Sequence, residues 1–328
     1  MAFTDDINWA ASIHTISGLV TTGDVTLTGE WADASPTTGE QSGTAGAGTT
    51  TTSCVKPGGA DDWTADEMRG WFLRITGGGG APAIRPILDN DTTTITVHAI
   101  TGMDNTSEFE ISIHDTDYDL TNITISDNTA RIIIENCIIA KLTANRCNRV
   151  LIRNCKIDTS DSDGSLDFDD CKVVTVQECY FENSASATAE RCNDVSLINL
   201  CLEDAWLNCV ACNKVTADIN AETCDATALH LEQCLTCFIG VEANGNTDSP
   251  CHFEGCNYLE PYSVGFIGTN AGSDYAIEIE KGGHYDLTAG TMTGNVNDLY
   301  IEANAFSWAN LGSYKNIIVK GVIALTTA

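Results

Sequence analysis

The sequence predicts an all-β protein: a parallel β-helix (a solenoid) preceded by a small N-terminal β domain. Three observations carry that prediction. Short Val/Ile/Leu-rich runs return between residues 129 and 240, as RIIIENC, VLIRNC, VVTVQEC and VSLINLC. Their rung markers, Thr129, Cys147, Cys171, Cys192, Cys212 and Cys234, stand 18, 24, 21, 20 and 22 residues apart, a period that makes one stacked coil per repeat. No helical run separates the strands, which argues against β–α repeats.

The coils align slot by slot. Three residues past each marker stand Ile132, Val150, Val174, Val195, Val215 and Cys237, and five past it Ile134, Ile152, Val176, Leu197, Ala217 and Ile239. Both slots share parity, so both point to one face of a strand. A second run precedes the markers, with Leu142, Leu166, Ala187, Leu207 and Leu229 five back and Ala144, Phe168, Ala189, Cys209 and Leu231 three back. Cys137, Cys155 and Cys179 make a further file eight past their markers, continued by Leu200. Asn148, Asn193 and Asn213 follow the marker cysteine, while Asn136 and Asn154 precede the second cysteine. Stacked amides at such corners satisfy turn backbone between coils.

Taken in order, residues 1–34 read as an attachment segment, with a short helix around Asp6–Ile16, an alternating stretch at 25–31, and Phe3 and Trp9 as docking or packing aromatics. Residues 35–60, rich in Gly and Thr, read as a linker or loop with little to bury. Residues 61–115 form a small β domain, in which WTADEMRG is a turn or helical segment and WFLRIT, AIRPILDN, TTTITVHAI and SEFEISI are strands. The tract Gly77–Gly80 lacks the Lys-Ser/Thr of a phosphate loop and reads as a mobile turn. Residues 116–328 form the β-helix, loosening after 240 and returning as YAIEIE, NDLYIE and YKNIIVKG. Its ends need covering, because a bare terminal coil is an open edge, and the small β domain is the expected cap at one end.

The chain carries 46 acidic and 16 basic residues, a formal net charge of −30. That field disfavours nucleic acid and anionic membranes as partners. Cations or basic surfaces remain open as partners, beside a simply solvated acidic exterior. No segment has the length and apolarity to span a bilayer, and MAFTDDINWAAS lacks the apolar core of a signal peptide, so synthesis in a cytoplasm is expected. Of 15 cysteines, 14 fall between 137 and 256, in core slots. A chain of this length does not need a disulfide scaffold, and they read as reduced, buried small hydrophobes.

The spacing Cys209-x-x-Cys212 followed by Cys234-x-x-Cys237 suits four-thiolate zinc. The slot alignment opposes it, since Cys209 and Cys237 replace aliphatic residues and four thiolates would enter a dry interior. The acidic stretch Asp158 to Asp170 puts Asp158, Asp161 and Asp163 on a protruding turn and Asp167, Asp169 and Asp170 on an outer face. It reads as a solvated turn, with calcium ligation and a glycan-cleaving carboxylate pair as the sharper alternatives. The stretch contains no basic residue and no histidine. The six histidines, His14, His98, His114, His230, His252 and His284, make no metal spacing, and His230 should face outward. Tyr258, Tyr262, Phe266, Tyr275, Tyr285, Tyr300, Phe306, Trp308 and Tyr314 are the stronger lead, as interface residues or as packing of broader terminal coils. No catalytic, cofactor-binding or metal-ligating residue is assigned, and no cofactor is implied.

On its coil period and stacked Cys and Asn, the region 116–325 resembles the pectate-lyase-like superfamily, which implies a right-handed single-stranded parallel β-helix. Lyases of that superfamily hold calcium on clustered Asp and use an Arg or Lys base; the central acidic stretch has the Asp without the basic partner. A second resemblance is to structural proteins of tailed-bacteriophage virions. It rests on RGWFLRITGGGGAPAIRPILDNDTTTITV at 69–97, through Arg74, Ile75, Thr76, Arg85, Ile87, Asn90 and Thr92–Val97. It implies a non-enzymatic virion component, a capsid decoration, spike or tail appendage, attached to other virion proteins through its N-terminal part. A homotrimer is the expected assembly. The alternative is a tailspike-like protein that binds or cleaves a host surface glycan.

Overall fold

The computed structural model describes residues 14–17, 25–158, 166–224, 227–246, 249–269, 275–281, 283–287, 291–293, 297–301, 308–311, 317–319 and 324–327. It is all-β, a right-handed parallel solenoid joined to a smaller antiparallel sheet. One parallel sheet of 11 strands runs the length of the stack. A second parallel sheet of 16 strands covers the other side. Early coils have three strands, such as Leu142–Asn145, Arg149–Arg153 and Lys156–Asp158. From Asp194–Glu203 to Tyr258–Thr269 the second and third fuse into one long strand, the first of them bent between Ile198 and Leu200.

The aligned slots are the core. Ile132, Val150, Val174, Val195, Val215 and Cys237 are registered neighbours, each with 0% exposure. One buried cluster extends from Val25 to Ile301. All 15 cysteines are free and buried. Each marker cysteine follows a corner residue in the left-handed conformation: Arg146, Asp170, Arg191, Ala211, Gln233 and finally Gly255 before Cys256. The thiol then reaches a carbonyl of the coil below, as Cys192 Sγ does to Phe168 O at 3.6 Å and Cys212 Sγ to Ala189 O at 3.3 Å. A small S–H donor fits a tight corner where a larger aliphatic would not and leaves the carbonyl partnered. The second file works likewise, with left-handed Asn136, Asn154 and Glu178 ahead of Cys137, Cys155 and Cys179. Asn213 donates to Asn193 Oδ1 at 2.8 Å, the amide stacking expected between coils.

Several expectations shift. Ser126 pairs with Asn145, so Asn128, not Thr129, stands level with Cys147, and this corner holds one extra residue before Ile132 meets Val150. Asn128 is 1% exposed and accepts from Ala130 N at 2.8 Å, so this corner is held by an amide that accepts, where the later corners use a thiol that donates. His14–Ser17 and Val25–Thr28 pair in parallel with Ile123–Ser126 and Arg131–Glu135. Part of the expected attachment segment is therefore a coil of the solenoid. His14–Ser17 is strand where the short helix was expected to end, and the rest of that helix, with Phe3 and Trp9, lies outside the described residues.

The antiparallel sheet, residues 31–114, is thus inserted between two coils. Its strands Phe72–Gly77, Ala83–Asn90, Thr94–Val97 and Glu108–His114 match the expected runs. The expected linker contributes Ser42–Thr44 and Ser53–Val55, edge strands held by backbone pairing that needs no large side chain. The Gly77–Gly80 turn is packed, since a Cβ on Gly78 would stand 1.9 Å from Thr106 O.

The sheet braces the solenoid's flank, where a terminal cap was expected. Phe72, Leu88, Tyr180 and Cys201 form a buried seam. Around it Arg69 pairs with Glu203 at 3.1 Å and Glu222 at 2.7 Å, and Tyr180 donates to Glu203. Gly70 sits at φ +78° with the Tyr180 ring 2.3 Å from where its Cβ would be. Gly70→Ala should destabilise the protein by roughly 1–3 kcal/mol, through overpacking and a disfavoured backbone. Gly58→Ala is the control, with nothing within 4 Å of its Cβ. Equal denaturation midpoints for the two variants would refute the seam.

Candidate functional site: an arginine-lined cleft

Where the inserted sheet meets the solenoid, a cleft of ≈ 660 Å³ opens between Ala83–Asn90 and the corners ahead of Cys137, Cys155 and Cys179. Arg74 and Arg85 line it from the sheet, and Glu135, Asn136, Arg153, Asn154 and Glu178 from the solenoid. A smaller hollow of ≈ 300 Å³, sharing Arg153 with the cleft, is lined by Arg131, Arg149, Leu151 and Arg153. The chain has eight arginines in all, and five of them line these two adjoining hollows.

Register explains the placement. Residues 131, 133 and 135 face outward because 132 and 134 face the core, and the same parity carries 149, 151 and 153. Glu135 lies beside Arg153, which is the favourable order, and their side chains meet at 2.5 Å. Arg85 reaches across from the sheet to Glu178 at 2.5 Å, and Arg74 is held by Glu110 at 2.9 Å and lies over the Trp31 ring. Burial raises the Glu178 carboxyl above the usual carboxylate range, against the opposing pull of Arg85 and Arg153.

Two features bear on what the cleft could hold. Arg131 and Arg149 are directly registered neighbours, and both border the smaller hollow. Among the described residues Arg149 is exposed and has no acidic partner. Four of the lining residues also carry a buried polar atom without a hydrogen-bond partner: Nε of Arg74 and Arg85, and Oδ1 of Asn136 and Asn154. Asn154 is 8% exposed, so its amide is held in place by burial. Guanidinium groups from the sheet and from the solenoid therefore line one concave surface of a strongly acidic chain. The chemistry matches a carboxylate- or sulfate-bearing ligand that guanidinium groups can bind in bidentate fashion.

The residues weighed from sequence lie elsewhere. Asp158 pairs with Lys156 at 3.2 Å and accepts from Asn183 at 2.8 Å. Asp169 and Asp170 pair with Arg191, on the 11-stranded sheet, and Asp161 and Asp163 fall outside the described residues. His230 does face outward, stacked on His252 at 4.7 Å. Of the aromatic leads, Tyr285 is core, Tyr275 packs on Tyr300, and Tyr262 is 39% exposed; Phe266, Phe306, Trp308 and Tyr314 carry no described side chain. The cleft itself was missed because its walls are about 50 residues or more apart in sequence. The signal that pointed to it was the clustering of arginine at 131, 149 and 153 against so acidic a background. No family model, no curated protein and no solved structure matches the chain.

The cleft's outer wall is anchored by buried His114, whose Nε2 donates to Asn154 O at 2.7 Å. Burial, helped by nearby Lys156, pushes its pKa down to about 4. His98, which keeps partial exposure and meets Leu200 O at 3.1 Å, is lowered in the same direction. The unfolded chain takes up a proton near pH 6.5 while folded His114 does not until about 4, so stability falls as pH drops through that window. Glu178 and Glu222, raised by burial, act in the opposite sense. The comparison must therefore be with His114→Gln: wild type should lose about 1 kcal/mol more per pH unit between pH 6.5 and 4.5. Superimposable pH profiles of the two proteins would rule this out.

Proposed function

We propose that this chain is a structural component of a tailed-phage particle, a capsid decoration, spike or tail appendage assembled as a symmetric trimer and lacking catalytic activity. The observation that carries the reading is the way the 69–97 stretch, the part that resembles phage structural proteins, is built in. Its strands form the inserted sheet, and that sheet is locked by ion pairs and a buried seam onto a rod with one continuous dry core. A brace of this kind transmits load from an attachment surface to a projecting rod without a hinge. The net charge of −30 keeps such rods apart at high local concentration. In this reading other virion proteins are its partners, and it works on the particle after synthesis in the host cytoplasm. The chain should band with purified particles at a copy number divisible by three. Its absence from intact particles, or depolymerisation of a polysaccharide by the pure protein, would defeat the proposal.

A second reading, a glycan-binding spike, is favoured by one specific observation: exposed Arg149, with no acidic partner among the described residues, borders the arginine-lined hollows. An anionic group bound there would pair with it. A uronate-bearing polysaccharide should then bind and a neutral one should not, with affinity falling as salt is raised. Arg149→Ala should weaken binding about tenfold, the loss of one charge-assisted contact. Equal retention of charged and neutral polymers by both proteins would eliminate this reading.

A further inference from the structure

Cys237 departs from the rule its neighbours obey. The slot it fills holds Ile132, Val150, Val174, Val195 and Val215 in the coils before it and Leu259 in the coil after. The cysteines of the marker file have a structural reason to be there, since each reaches a carbonyl of the coil below. Cys234 Sγ is 3.4 Å from Cys209 O and Cys256 Sγ is 3.4 Å from Leu231 O. Cys237 has the thiols of Cys234 and Cys256 as its side-chain partners. It turns a single column of thiols into a triangle. The sulfurs of Cys234, Cys237 and Cys256 lie within 4.8 Å of one another, and all three residues have 0% exposure. Cys209 and Cys212, which sequence spacing grouped with Cys234 and Cys237, are not in it.

We propose that Cys234, Cys237 and Cys256 form a binding site for one soft monovalent cation, with copper(I) the biologically available case. Three sulfurs and no hard donor select a soft ion. Structural zinc takes four ligands, and catalytic zinc adds water to three; this triangle has three sulfurs and lies in a core closed to solvent. Charge points the same way. A monovalent ion that replaces one or two thiol protons leaves a site of charge zero or minus one, whereas four thiolates around a divalent ion would bring minus two into a dry interior. The displaced protons leave to solvent and copper stays in its +1 state, so no oxidant is required. Because the closed coil seals the triangle, the ion enters as the chain folds.

The test is to refold the full chain without oxygen, in ascorbate, with copper(I) buffered by a chromogenic chelator, and then count copper per folded chain. Wild type should retain one copper at a chelator concentration at least ten times that which strips Cys237→Val. Valine fills this slot in five other coils, at Val25, Val150, Val174, Val195 and Val215, so that variant is compatible with the stack. Cys209→Ala, outside the triangle, should behave as wild type. X-ray absorption at the copper edge of the wild-type protein should show two or three sulfur neighbours, a readout that does not depend on any variant folding. The proposal is overturned if wild type and Cys237→Val retain copper equally, if Cys209→Ala loses it as Cys237→Val does, if oxygen or nitrogen neighbours dominate, or if zinc(II) is retained as strongly under the same conditions.

Discussion

Parallel in-register stacking is the constraint on which the rest of this structure depends. Strands about 4.8 Å apart put every side chain directly above its counterpart in the next coil. A residue type survives in a file only if it tolerates a copy of itself, or a complement, at that distance. Aliphatic files satisfy this trivially, as do the marker thiols, each small enough to reach the carbonyl beneath it. Some charged files satisfy it by alternation, with Glu135 beside Arg153 and Asp194 beside Lys214, while others stack like charges on an outward face, as Glu232, Glu254 and Glu280 do. The same rule makes one exception informative: Cys237 is a polar, ionisable member of an aliphatic file.

That rule also sets what could be read from sequence. The core slots were legible because two periods coincide, the alternation within a strand and the coil repeat between strands. The cysteines were legible as core for the same reason, once aligned against aliphatic residues instead of against metal-site spacings. What escaped was structure that leaves no periodic trace. The extra residue at the Asn128 corner shifts the register on one side of a turn only. The coil at 14–28 lacks a cysteine and is separated from its neighbours by the whole inserted sheet, so spacing could not reveal it. The edge strands at Ser42–Thr44 and Ser53–Val55 are held by backbone hydrogen bonds, to which composition is blind.

The cleft shows the same limit at the level of a site. Each wall obeys a local rule: outward parity places Arg149 and Arg153, left-handed corners place Asn136 and Asn154, and a hairpin strand places Arg85. Their convergence comes from docking of one module on another, which no repeat encodes. The metal spacing in the cysteines failed in a related way. Neighbours in sequence, Cys209 and Cys212, take different roles, while Cys256, one coil further on, completes the triangle.

The position of the insertion has a thermodynamic consequence. Val25 pairs with Ile132, a separation of 107 residues, and closing a flexible loop of that length costs conformational entropy. The inserted sheet removes most of that cost. Its first and last strands, Trp31–Asp33 and Glu108–His114, are paired so that Trp31 lies opposite His114. Once the sheet has formed, the two ends of the chain leave it as neighbours, and the effective loop between Val25 and Ile132 shrinks to 6 residues on one side and 18 on the other. The coil at 14–28, which has no marker cysteine of its own, is thus delivered to the stack by a module with an independent core of Trp63, Leu73, Ile75 and Phe109. The inserted sheet therefore does more than decorate the rod: its folding brings that coil into register, and its seam with Tyr180 and Glu203 keeps it there.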